Sequence, residues 1–137
     1  MKVPEGLYYT RDHEWVKIEE GSSESLNFEL TIGITDFAQD QLGDIVYLEV
    51  DTEGELIDAE EVFGSIEAVK TVSDLFMPLT ATITEVNEKL IDDPEVLNSD
   101  PYEEGWLIKA TIPKDDILLE DLTVDLLSHK EYKDLTI

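Results

Sequence analysis

A chain of 137 residues with 42% hydrophobic side chains is long enough to bury a core as one domain over 1–137, and its lack of cysteine excludes a disulfide framework, a thiolate nucleophile and a cysteine-based zinc site. Nine basic residues against 34 acidic ones give a formal net charge of -25, which repels phosphate backbones and anionic lipid and so excludes nucleic acid and membrane as partners. The N-terminal MKVPEGLYY has no apolar targeting core and no apolar run reaches the length of a membrane span, so the expectation is a soluble, cytoplasmic protein in a reducing compartment.

Along the chain, HEWVKIEE reads as a strand and EGSSES as a polar turn longer than the tightest hairpins need. LNFELTIGI then alternates without a miss, placing Leu26, Phe28, Leu30, Ile32 and Ile34 on one face of a second strand. In TDFAQDQLGD, Asp36 is the expected N-cap of a short helix, with Gln39 three residues on and Gly43 as its stop. DIVYLEV is strand-like and DTEG a turn, while VFGSIEAV and LFMPLTATITEV are short β segments broken by Gly64 and Pro78. LIDDPEVLNSDPYEEG has turn formers around a single helical turn, and WLIKATI is a strand. Beyond Pro113, Leu118, Leu119, Leu122, Leu126 and Leu127 recur at helical spacing. The sum is a mainly β protein, a small sandwich or flattened barrel with short peripheral helices and a helical C-terminus.

Most enzyme chemistries lack their residues. HEWVK opens like a helical zinc-protease motif, yet no second histidine stands four residues after His13. DDPEVLNSDPYEE is acidic enough for a calcium loop but lacks its central glycine and ligand spacing. His13 and His129 are the two histidines, and no serine nucleophile elbow, phosphate loop or dinucleotide fingerprint occurs, so a non-catalytic role is expected. Paired carboxylates carry no information among so many acids. The solvated-surface reading of those acids competes with a second one, in which they steer the protein toward partners with basic faces.

Lys70 follows one extended run and precedes another, so it falls where a hairpin turns; on local pattern alone it reads as a solvated side chain. GSIEAVKTVSDLFMP as a whole resembles the attachment segment of lipoate-carrying domains, in which a glycine, a glutamate three residues before the lysine and the preceding valine mark the lysine to be acylated; Gly64, Glu67, Val69 and Lys70 match. YTRDHEW (Tyr9 to Trp15), GITDFAQDQLGD (Gly33 to Asp44), DPYEEGWLIK (Asp100 to Lys109) and the C-terminal DLLSHKEY extend the resemblance over nearly the whole chain, to the glycine cleavage system H proteins.

That resemblance implies a lipoyl-domain-like flattened β-barrel, a barrel-sandwich hybrid, with lipoate attached covalently to Lys70 at an exposed hairpin. It implies a carrier that takes an aminomethyl group from a pyridoxal-phosphate glycine decarboxylase (the P protein), presents it to a tetrahydrofolate-dependent aminomethyltransferase (the T protein) and is reoxidised by dihydrolipoamide dehydrogenase (the L protein), after modification by a lipoyl transferase or ligase. Glu14 and Asp74 match the positions whose carboxylates shelter the loaded arm's amine; without the resemblance, each reads as an ordinary surface acid. A lipoyl carrier of another pathway, in sulfur oxidation or lipoyl relay, is the alternative. A biotin carrier is disfavoured, because that family flanks its lysine with methionines and here Val69 and Thr71 stand. Family members commonly carry a glycine in the turn where this chain has Ala81, which raises the expectation of a shifted backbone angle there.

Overall fold

The computed structural model describes residues 1–136, so the last residue of the expected 1–137 domain lies outside them. Among these residues β1 (Tyr8–Tyr9), β2 (Glu14–Glu19), β3 (Asn27–Ile34), β9 (Ile108–Pro113), β8 (Ala81–Val86) and β5 (Leu56–Ile57) form one antiparallel sheet in that order. A second sheet pairs β4 (Ile45–Glu49), β6 (Val62–Ala68) and β7 (Val72–Phe76), again antiparallel. Period-2 alternation explains how they stack: Phe28, Leu30 and Ile32 of the large sheet meet Leu48, Phe63, Ile66 and Leu75 of the small one in a single buried cluster. The architecture is the mainly β sandwich that the strand pattern implies.

Local expectations hold unevenly. HEWVKIEE and LNFELTIGI pair as β2 and β3, but the strand begins at Asn27, and Leu26 stands 81% exposed before it. The first helix, α1 (Asp36–Leu42), ends at Gly43 as expected, yet its N-cap is Thr35, whose hydroxyl accepts from Ala38 N at 3.1 Å. Asp36 is instead the first helical residue, where its charge still faces the positive end of the helix. Gly64 does not end a strand; a bulge lies beside it within β6. LIDDPEVLNSDPYEEG holds two single-turn helices, α2 (Lys89–Asp92) and α3 (Val96–Ser99), rather than one. Ala81 opens β8 opposite Ile57 without a positive φ, so the backbone there makes no demand for glycine.

The C-terminal leucines do not share one helix. Helix α4 is the single turn Leu119–Leu122; Leu126 then drops into the main core, and Leu127 exchanges backbone hydrogen bonds with Tyr9 at 2.8 and 2.7 Å. A fresh helix, α5 (His129–Leu135), starts at Ser128, which forms a capping box with Glu131. Burial and edge pairing of two leucines outweigh the helical spacing, because each satisfies a contact a continuous helix would forgo.

Helix α5 seals a second, smaller cluster. Tyr132 stacks on Tyr9 with ring centroids 4.7 Å apart, and Trp15 packs beside them and donates from Nε1 to Pro101 O at 3.0 Å. Trp15 lies opposite Gly33 in the β2–β3 register, and a Cβ at Gly33 would stand 2.6 Å from the indole. The anchored ring has no room to retreat. Gly33→Ala is therefore expected to destabilise the fold by about 1–3 kcal/mol, read as a lowered urea midpoint with unchanged slope.

Candidate functional site

The site is built at one end of the sandwich, where the β6–β7 hairpin and the start of β2 come together. Ala68 N donates to Thr71 O at 2.8 Å, which leaves Val69 and Lys70 as the central pair of a tight turn. Neither residue has a positive φ, so the turn is not of the primed type that favours Asn-Gly, and a β-branched valine fits it without strain. Val69 N donates to Asp44 O at 3.0 Å, tying the tip to the loop before β4. That loop is fixed in turn by Asn98, whose Oδ1 accepts from Ile45 N at 2.9 Å and whose Nδ2 donates to Gly43 O at 2.8 Å. Lys70 thus rides a braced turn, exposed, with no ion pair or hydrogen bond engaging its ammonium among the described residues.

Glu67 and Val69 are exposed beside Lys70, Val69 to 68%. Tyr47, Glu67 and Val72 lie in one row across the small sheet's open face, which runs up to the lysine. Gly64 sits in the body of β6, and a Cβ there would stand 2.6 Å from Glu49 O on the neighbouring strand. Close backbone approach accounts for this glycine; it has no contact with the turn.

Glu14 and Asp74 come together around a cleft of about 160 Å³ whose apolar lining is Ile34, Ala38, Leu42, Ile66 and Leu75. Asp74 is exposed at its rim on β7, the strand that leaves the lysine turn. Glu14 is not a surface acid: it is 2% exposed. Its Oε1 accepts from Thr10 Oγ1 at 2.8 Å and its Oε2 from Phe76 N at 3.3 Å. Loss of water nonetheless dominates, and burial raises the carboxyl to a pKa of about 8 against those two stabilising donors. Glu14 is therefore largely protonated at neutrality, and a cation beside it would favour its ionised form.

Sequence reasoning missed Thr10, Asp12 and His13, which line the same region. They belong to the four-residue turn between β1 and β2, closed by Thr10 N donating to Glu14 O at 3.0 Å and His13 N donating to Thr10 O at 3.1 Å. The two-residue β1 is too short to announce itself, so the turn carried no signal beyond membership of the YTRDHEW stretch.

Comparison with known proteins finds similarity over nearly the whole chain. The sequence profile of the family described as Glycine cleavage H-protein matches residues 7–136. The chain is 48% identical over 116 residues to the glycine cleavage system H protein of Salinibacter ruber, covering 85% of this chain and 88% of the relative. It is 47% identical over 133 residues to that of Listeria innocua, covering 97% of each. The crystal structure of a glycine cleavage system H protein from Mycobacterium marinum superposes with a TM-score of 0.80 at 36% identity, over 96% of this chain and 97% of that one.

The raised carboxyl has a thermodynamic signature. From about pH 4.5, the ordinary value for such a group, to about pH 8 the folded protein binds a proton at Glu14 that the unfolded chain releases, so stability falls as pH rises through that window. The loss amounts to about 5 kcal/mol at most. Glu14→Gln is expected to abolish this decline, becoming more stable than the parent at pH 9 but not at pH 4, measured by urea melts across the range.

Proposed function

This chain belongs to the glycine cleavage H-protein family, the lipoyl carriers of the glycine cleavage system, and on that premise we propose that Lys70 is its point of lipoyl attachment. The observation that carries the assignment is a lone, unengaged ammonium on a braced two-residue turn, matched to the attachment motif at Glu67 and Val69 and set at the head of a strand that lines a cleft. An acylating enzyme needs an amine it can surround. The turn offers one without unfolding anything.

Joined to Nζ through an amide, the group would supply a redox-active disulfide on a long flexible arm, on which the aminomethyl unit of glycine is carried. The residues present fit it: five apolar side chains suit an alkyl arm, and two acids suit the amine of its cargo. Glu14 passes its proton to the neutral form of the cargo amine, leaving a carboxylate beside an ammonium, and this charge-assisted hydrogen bond is strong because water is excluded around it. Asp74 draws the cation in from the exposed rim, where salt screens it. Sheltering and cargo are thereby linked, since an uncharged arm end finds no such anchor.

The protein itself transfers nothing; it moves cargo between the other components of the system. We assign these as the pyridoxal-phosphate decarboxylase, the tetrahydrofolate-dependent aminomethyltransferase and dihydrolipoamide dehydrogenase, with a lipoyl transferase or ligase acting first, all in the cytoplasm. Tethering keeps the cargo at an effective concentration on the order of millimolar for each docked enzyme. Among the described residues no helix is long and apolar enough to cross a membrane.

Intact mass tests the attachment. Protein from its own host should carry one lipoyl adduct, and Lys70→Arg should lack it while melting as the parent does; an adduct that survives the substitution would place attachment elsewhere. Neutralising the two acids together, as Glu14→Gln with Asp74→Asn, should leave the adduct in place and speed loss of ammonia from the loaded protein about tenfold, the size of one lost charge-assisted bond. An unchanged rate would remove their sheltering role.

A further inference from the structure

His13 lacks the partners of a metal site, and nothing in the carrier reading uses it, yet the backbone is strained to hold it. It closes the β1–β2 turn with φ at +67°, a left-handed conformation that few residues other than glycine adopt. Its carbonyl accepts from Thr35 N at 3.0 Å, and its ring lies 4.6 Å from that of Phe37, centroid to centroid. The imidazole lines the cleft with Glu14 and Asp74. Its Nδ1 stands 2.9 Å from the Tyr132 hydroxyl, while Nε2 has no protein partner and is not fully buried.

The direction of these hydrogen bonds follows from donor counting. Thr35 is fully buried, and its Oγ1 already accepts from Ala38 N at 3.1 Å. The remaining neighbour of that oxygen is Tyr132 Oη at 2.7 Å, so the threonine proton has the tyrosine oxygen as its acceptor. Tyr132, also fully buried, must then give its own proton to His13 Nδ1. Nδ1 is an acceptor, and the imidazole proton lies on Nε2. The reverse order would strand the threonine proton in the interior.

We propose that His13 is a specificity-determining residue of the cleft, held neutral with its proton on Nε2 by the Thr35–Tyr132 relay so that a cationic cargo is retained, and that its protonation breaks the relay and repels the cargo. The proposal rests on the carrier reading of Lys70. The charged and titratable groups around the ring are Asp12 and Glu14 beside it in the chain, Asp74 from β7 and the Tyr132 hydroxyl from α5; α1 contributes the uncharged Phe37, Ala38 and Gln41. Burial lowers the ring's affinity for a proton and outweighs the opposing charge of Asp12. Acid therefore acts twice, discharging Glu14 and charging His13, and both changes weaken the hold on a cation.

Nitrogen NMR of unmodified protein carrying ¹⁵N-labelled histidine tests the relay without any cargo. His13 should show the Nε2-protonated neutral ring and titrate below the ordinary histidine value. Tyr132→Phe should raise that titration. A ring protonated on Nδ1, or one titrating at or above the ordinary value in the parent, overturns the proposal even if the tyrosine variant does not fold. For retention, His13→Asn keeps a side chain that accepts the left-handed turn. Ammonia release from the loaded parent should accelerate by about fivefold more than from the variant as pH falls through the His13 titration. Parallel profiles would overturn the retention role. A missing lipoyl adduct at Lys70 would end this proposal and the carrier reading together, whereas an adduct with parallel profiles ends this one alone.

Discussion

The register of β2 against β3 fixes everything at the functional end of the molecule. Glu14 lies opposite Ile34 and Trp15 opposite Gly33, so the first residue of one strand and the last of the other share an edge. From that edge the chain can turn only through the strained His13 on one side and into the cap of α1 at Thr35 on the other. Thr35 then serves three neighbours at once: its amide binds the His13 carbonyl, its hydroxyl caps the helix, and the same hydroxyl meets Tyr132. A one-residue slip would turn Glu14 to the other face and leave the cleft without its buried acid.

Buried polarity is concentrated where it has a use. Apart from the aromatic side chains, Glu14, Thr35 and Asn87 are the buried polar side chains among the described residues, and two of the three belong to the cleft and its hydrogen-bond chain. Each is hydrogen-bonded, so the low dielectric strengthens what it would otherwise penalise. Outside, the acidic surface does the reverse, spreading charge through water where individual pairs are weak. The lysine turn is a cationic point on this field, and a partner with a basic face meets the acids first.

Much of this was legible in the chain. LNFELTIGI declared its inward face because period-2 alternation follows directly from strand geometry, and Gly43 ended α1 because its positive φ suits glycine. Leu26 misled because alternation does not say where pairing stops. Asp36 and Thr35 are both good caps, and only the hydrogen bond to Ala38 N decides between them. The leucine spacing after Pro113 was a real local preference overridden by tertiary contacts. At the site, Lys70 could be picked out because a motif is contiguous. The burial of Glu14 and the relay to Tyr132 could not, since the hydroxyl and the imidazole it meets are 119 residues apart in the chain.

The braced turn has one further meaning. Its hydrogen bonds run entirely through backbone groups of Ala68, Val69, Thr71 and Asp44, and the lysine side chain takes no part in them. An amide formed at Nζ would change the charge by one unit and disturb no contact that maintains the architecture. If Lys70 is the attachment point proposed above, maturation is uncoupled from folding: the polypeptide would be a finished receptacle before any prosthetic group arrived, and a starved cell would accumulate intact blanks that become active as soon as supply returns.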